Sequence, residues 1–239
     1  MKRNPLVIGV GGLLEKDENG RVTDILANLR NSGCSTYEVK FSRICRNGYT
    51  VVCPVSLAWI ADITTLVDTA LQDPKVDTSR VGLVGSSLGA AMIDQYLASN
   101  NQLTGREISY AAISPFARIN PSLKPWLESS RNSQKDLEMS TDADKKRGMK
   151  RIIPYSNIST ILEINTPEIL RGISERYEIK PLTIYGLKDE RVDPQSIEER
   201  HYVLKGKGRN LIQFDCGHNT PYKESIDLAT EFLKSRLLS

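Results

Sequence analysis

The stretch Val81-Gly82-Leu83-Val84-Gly85-Ser86-Ser87-Leu88-Gly89-Ala90-Ala91 decides how this chain is read. An apolar run leads into it, and a helical pattern rich in small residues leads out. Between them, Gly85, Ser87 and Gly89 form G-x-S-x-G. In a sharp strand-to-helix turn the central backbone is strained, and side chains two positions to either side collide. Glycines at 85 and 89 remove both collisions. The turn lifts the Ser87 hydroxyl clear of the strand and aims the Leu88 N–H, at the helix start, toward the same point. Ser87 is therefore the candidate nucleophile, set against the plainer reading of a glycine-rich turn without chemistry. Ser86 lacks the glycine spacing.

Outward from this turn, short apolar runs alternate with longer amphipathic segments. The runs cover 6–11, 49–54, 81–85, 108–113, 181–185 and 210–214. Each is β-branched or aromatic and bounded by turn formers, as strands buried on both faces should be. Helical patterns cover 23–31, 57–71, 88–98, 194–203 and 222–237. The alternation predicts a doubly wound, mostly parallel α/β sheet of about six strands. Trp59 falls in one of the helical patterns and is expected in the core.

The rhythm breaks after Ser114. Residues 120–151 are highly charged, and 162–173 turn helical again. Such a length exceeds an ordinary connection. Residues 115–180 are read as a mostly helical insertion, or cap, over the C-terminal edge of the sheet. The whole chain, 1–239, is otherwise one α/β domain. Trp126 either lines a substrate pocket or anchors the insertion.

A serine hydroxyl needs a base within hydrogen-bond reach. The chain has two histidines. His201 lies inside a helical pattern. His218, in Asp215-Cys216-Gly217-His218-Asn219-Thr220-Pro221, lies in the loop after the last predicted strand, where α/β sheets carry their functional groups. His218 is the candidate base. Its orienting carboxylate is sought in Tyr185-Gly186-Leu187-Lys188-Asp189-Glu190-Arg191-Val192-Asp193-Pro194. Asp189 is preferred. Glu190 is the longer rival, Asp193 suits a helix cap before Pro194, and Asp215 is too near His218 in sequence to reach round to its ring.

In the order Ser87, Asp189, His218, the chain resembles the α/β-hydrolase superfamily, especially its esterase, dienelactone-hydrolase-like and peptidase-like members. The resemblance implies an acyl-enzyme mechanism on a small-molecule carboxylic ester, with no metal or organic cofactor. The Leu88 and Gly12 N–H groups would form the oxyanion hole, with Leu13 the neighbouring candidate there and a substrate contact. One feature departs from the family: many members carry His-Gly after the first core strand, where this chain has Val10-Gly11-Gly12-Leu13. The same triad also serves peptidases, amidases, thioesterases and acyltransferases, and the fold also hosts non-catalytic binding proteins. Cys216 sits on no elbow and is a poor alternative nucleophile.

Composition bounds the rest. Apolar residues make up 39% and charged residues 26%, ordinary for a globular chain. A net charge of +3 points neither to nucleic acid nor to an anionic membrane. The cluster Lys145, Lys146, Arg147, Lys150, Arg151 reads as a solvated face. Cys34, Cys45, Cys53 and Cys216 match no zinc framework and suggest free thiols in the cytoplasm. The apolar run from Leu6 to Leu14 is too short to span a bilayer and precedes no signal-cleavage pattern. Oligomeric state is not encoded in any pattern found.

Overall fold

Apolar residues that fill a strand without alternation call for cover on both faces. Strand β1 (Asn4–Val10) meets that expectation: every residue after the first two is buried, and Pro5 is buried as well. The structure, a computed structural model, describes all residues except 1–2, 14–19, 40–43, 47–49, 53–57, 139–147, 149, 174 and 207; for 44–46 and 50–52 it describes the backbone alone.

After β1 come α1 (Arg21–Asn31), β2 (Ser35–Val39), β3 (Ile44–Arg46), β4 (Thr50–Val52), α2 (Ala58–Gln72), β5 (Val76–Ser86), α3 (Leu88–Ser99) and β6 (Glu107–Ile113). The long excursion carries α4 (Lys124–Asn132), β7 (Leu137–Glu138), β8 (Lys150–Ile153), α5 (Ile158–Glu163) and α6 (Thr166–Leu170). The chain then returns through β9 (Glu178–Gly186), α7 (Pro194–Val203), β10 (Leu211–Phe214) and α8 (Tyr222–Leu237).

Six strands form the main sheet in the order β10-β9-β6-β5-β1-β2. Every neighbouring pair is parallel. The chain steps from β1 outward to β2, then returns to the other side of β1 as β5. This reversal opens a crevice at the strand C-termini, where open α/β sheets take their ligands. Side chains alternate across the sheet. Leu6, Ile8 and Val10 pack with Trp59, Ile63, Met92, Tyr96 and Ile197 from α2, α3 and α7. Val7, Val84 and Ile184 pack with Ile25, Leu29, Ile226 and Leu233 from α1 and α8.

The expected strand at 49–54 is corrected. Its described part, β4, joins a second, four-stranded sheet ordered β3-β4-β8-β7. Tyr49, Cys53 and Pro54 lie outside the described residues. The sixth place in the main sheet belongs to β2, an edge strand in which Val39 alone is fully buried. Its Ser-Thr-Tyr-Glu start follows from that position, because an edge strand faces solvent and needs no continuous apolar run.

The excursion is not purely helical either. Its β7 and β8 pair antiparallel, with Leu137 opposite Ile153, and β8 pairs parallel with β4. The helix expected over 162–173 is split into α5 and α6. Pro167 lacks the N–H that a continuous helix would donate, and its ring would crowd the preceding turn. It is tolerated in the first turn of α6, where that N–H is not needed. The basic cluster is corrected in part: Arg151 is buried and Lys150 pairs with Glu138 at 3.4 Å. Lys145, Lys146 and Arg147 lie outside the described residues.

An ion pair lies wholly inside the fold. Arg200 on α7 grips Asp94 on α3 with Nε–Oδ2 at 2.6 Å and Nη2–Oδ1 at 2.8 Å. Both side chains are 0% exposed. The guanidinium also sits 4.9 Å from the Tyr110 ring centre.

Candidate active site

The site gathers where β1, β5, β6, β9 and β10 end. At the end of β5, Ser87 adopts φ 49° and ψ −122°, backbone angles that residues with a Cβ rarely hold. Three hydrogen bonds hold it there. Its N–H donates to Ile113 O at 2.9 Å, and its carbonyl accepts from Ala90 N at 3.1 Å and Phe116 N at 3.0 Å. The flanking glycines are required by close approach. A Cβ on Gly85 would lie 2.6 Å from Ala90 Cα, and one on Gly89 would lie 2.2 Å from Val10 O. The second approach presses the β1 loop onto the first turn of α3. Gly12, Leu13 and Leu88 consequently line one cavity with Ser87. The Leu88 N–H belongs to the helix start, whose donors have no intrahelical acceptor.

His218 follows β10, and its Nε2 stands 2.9 Å from Ser87 Oγ. Its Nδ1 stands 2.8 Å from Asp189 Oδ2. A carboxylate oxygen only accepts, so Nδ1 carries the proton and Nε2 is left to accept from the serine hydroxyl. Asp189 is itself pinned, with Oδ1 accepting from Arg191 N at 2.8 Å and Val192 N at 3.0 Å. His218 and Asp189 are 5% and 3% exposed. Water therefore competes weakly for these contacts.

The rival carboxylates take other work. Glu190 Oε2 accepts the backbone N–H of His218 at 3.0 Å, so it holds the loop and not the ring. Asp193 caps α7 through Gln195 N at 3.2 Å. Asp215 pairs with Lys188 at 2.8 Å on the surface. His201 is buried against Thr183 Oγ1, at 3.0 Å from Nδ1, away from the cavity. Burial and then the Asp189 charge push the Cys216 thiol up, away from the thiolate a cysteine nucleophile needs.

Ser114 was not singled out in the sequence. It follows β6 with φ 44°, and its Oγ donates to the His218 carbonyl at 2.7 Å. With Glu190 on the N–H and Ser114 on the C=O, both peptide groups of the histidine are held by side chains from neighbouring strand ends. No motif marks Ser114. The available signal was its position just past a buried strand on the functional edge.

The cavity beside Ser87 measures ≈ 160 Å³. Phe116 and Ile119 come from the β6 loop, and Leu123, Trp126 and Leu127 from the start of the excursion. Leu137, Ile153 and Ile161 add apolar lining, and Arg21, Arg191 and Asn219 also border it. Trp126 lines the cavity and is 45% exposed, so it stands at the outer side. Among the described residues no group of three His, Cys, Asp or Glu side chains could hold a metal ion. No described helix is long and apolar enough to cross a membrane.

No protein-family model matches the chain, and no curated protein matches it in sequence. Solved structures do match in shape. Est1E from Butyrivibrio proteoclasticus superposes with a TM-score of 0.65 at 15% identity, over 100% of this chain and 90% of that one. A monoacylglycerol lipase from Paleococcus ferrophilus gives 0.66 at 17% identity, over 98% and 97%. The α/β hydrolase GrgF from Penicillium sp. sh18 gives 0.65 at 15% identity, over 100% and 92%. The parallel sheet order, the strained serine turn after β5 and these superpositions together identify the architecture as the α/β-hydrolase fold.

Proposed function

We propose that this chain is a serine hydrolase that cleaves carboxylic esters through an acyl-enzyme. The observation that carries this reading is the continuous hydrogen-bonded line from Ser87 Oγ through His218 to Asp189, at 2.9 Å and 2.8 Å, opening into an apolar cavity. The lipase among the structures of the same fold supports ester chemistry.

In this mechanism Ser87 Oγ attacks the ester carbonyl carbon while its proton passes to His218 Nε2. The carbonyl π electrons move to oxygen, and the Leu88 and Gly12 N–H groups receive that charge. Asp189 holds the ring tautomer and stabilises the imidazolium. The tetrahedral intermediate collapses, the C–O bond to the alcohol breaks, and His218 returns its proton to the leaving oxygen. Water then gives its proton to His218 and attacks the acyl carbon. The second collapse releases the acid and restores the Ser87 hydroxyl.

The test is a panel of p-nitrophenyl esters alongside aminoacyl anilides, with Ser87→Ala as control. Ester turnover should dominate, and Ser87→Ala should lose at least about 10³-fold in kcat. Anilide turnover matching the esters would assign a peptidase. Near-normal turnover by Ser87→Ala would remove the serine from the chemistry.

A further inference from the structure

The cavity is graded from the outside inward. Trp126 is 45% exposed at its outer side, whereas Leu127, Leu137 and Ile153 are 3%, 2% and 2% exposed. Two of these buried lining residues are not supplied by the main sheet. Leu137 and Ile153 stand opposite one another on β7 and β8. That small sheet is tied through β4 to a distant part of the chain, so β8 is held by a strand on each side.

Size and polarity narrow what fits. An apolar cavity of about 150 Å³ holds a benzene ring without water. This one, at ≈ 160 Å³, has room for a group of that class. The order of release decides which half of the ester goes inside. The alcohol must leave before water attacks, whereas the acyl group stays bound to Ser87 throughout. The buried apolar end suits the half that stays, and the exposed end beside Trp126 suits the half that departs.

We infer that the site selects esters whose acyl part is apolar and about the size of hexanoate or benzoate, and that Leu137 and Ile153 set the upper limit. This rests on the ester-hydrolase reading above. Each methylene that enters apolar surroundings should raise kcat/KM about fourfold until the chamber is full. Longer chains must then fold back or displace Leu137 and Ile153, and the rate falls.

The experiment uses the full chain and two ester series. One holds p-nitrophenol constant and varies the acyl group from acetate to laurate, with benzoate added. The other holds butyrate constant and varies the alcohol. Active sites are counted by fluorophosphonate titration, so a fold-damaged variant does not imitate a specificity change. The wild type should peak near hexanoate. Leu137→Ala and Ile153→Ala should each move the peak up by about three carbons, the size of the group removed. Leu137→Phe should move it down, and the order of preference among alcohols should be the same in all three, whatever common factor the butyrate rates change by. If Ser87 is labelled but the acyl profile is flat, or identical in every variant, the specificity inference fails and the hydrolase reading stands. A shift confined to the alcohol series reverses the assignment of the chamber and also refutes the inference. Absence of both labelling and turnover removes the hydrolase reading and the inference with it.

Discussion

Replacing Arg200 with methionine strands Asp94 inside the fold. Both members of the pair are 0% exposed, and two close contacts at 2.6 Å and 2.8 Å are lost at once. Breaking a buried pair from one side costs about 3–5 kcal/mol, because the remaining charge has neither water nor counter-ion. That is a large share of the roughly 5–15 kcal/mol that keeps a domain folded. With a urea slope near 3 kcal/mol per molar, the midpoint should fall by about 1–1.7 M. The loss should depend on pH. Burial pushes the Asp94 carboxyl up from its ordinary 3.8, and the Arg200 charge pulls it back. Without Arg200 the push from burial is opposed by the Tyr110 hydrogen bond alone, so the carboxyl rises further. The folded variant then holds a proton that the unfolded chain releases, so its stability falls as pH rises from about 4 through the raised pKa. The gap to wild type should be widest near neutrality and narrow toward acid. Urea melts between pH 4 and pH 8 measure this directly. The double variant Asp94→Leu with Arg200→Met should recover most of the loss, since an apolar pair of similar volume replaces the charges. A deficit below about 1 kcal/mol at neutral pH, with no slope, would refute this reasoning. The pair also bears on the site. Asp94 lies about two helical turns beyond Ser87 on α3, and α7 starts at the cap that follows Asp189.

Four further outcomes follow from the site geometry. Gly89→Ala places a Cβ 2.2 Å from Val10 O and 2.4 Å from Gly11 O, so the β1 loop must move off α3; ester turnover should fall at least about 10²-fold, measured as kcat per folded protein. Ser114→Ala removes the 2.7 Å bond to the His218 carbonyl; kcat should drop about tenfold while KM holds, the pattern of a misplaced base. Asp189→Asn should cost about 10⁴-fold in kcat. Glu190→Gln should stay close to wild type, because an amide oxygen still accepts the His218 N–H. A reversal of those last two effects in steady-state assays would exchange the roles of the two carboxylates.

Much of this arrangement was legible because strong local rules coincide there. Residues 81–91 combine an apolar run, glycines at 85 and 89 flanking a serine, and a helix of small residues, and all three agree on a strand–turn–helix. Asp189 and His218 each sit in the first loop after a strand, but only β9 is buried; β10, expected to be covered on both faces, is a half-buried edge strand. What escaped was set by partners distant in sequence. Thr50, Val51 and Val52 are as apolar as a core strand, but their pairing with Lys150, Arg151 and Ile152 directs them to the second sheet. Ser35-Thr-Tyr-Glu-Val39 is a poor match to a buried strand, yet β1 needs a partner on its free edge and takes this one. Ser114 has a role only because β10 brings the His218 carbonyl within reach. The backbone contact of Glu190 is hidden in the same way, since its rivalry with Asp189 is settled by which one faces a ring and which a peptide.

Covalent labelling by a fluorophosphonate, read by mass spectrometry of the digested protein, is the decisive measurement. An adduct should appear on the peptide that contains Ser87, and nowhere else, at close to one per chain. It should form at least about 10³-fold more slowly in His218→Ala, where the hydroxyl has no base. An unlabelled Ser87, or labelling that proceeds at the same rate without His218, would contradict a nucleophile activated by that imidazole.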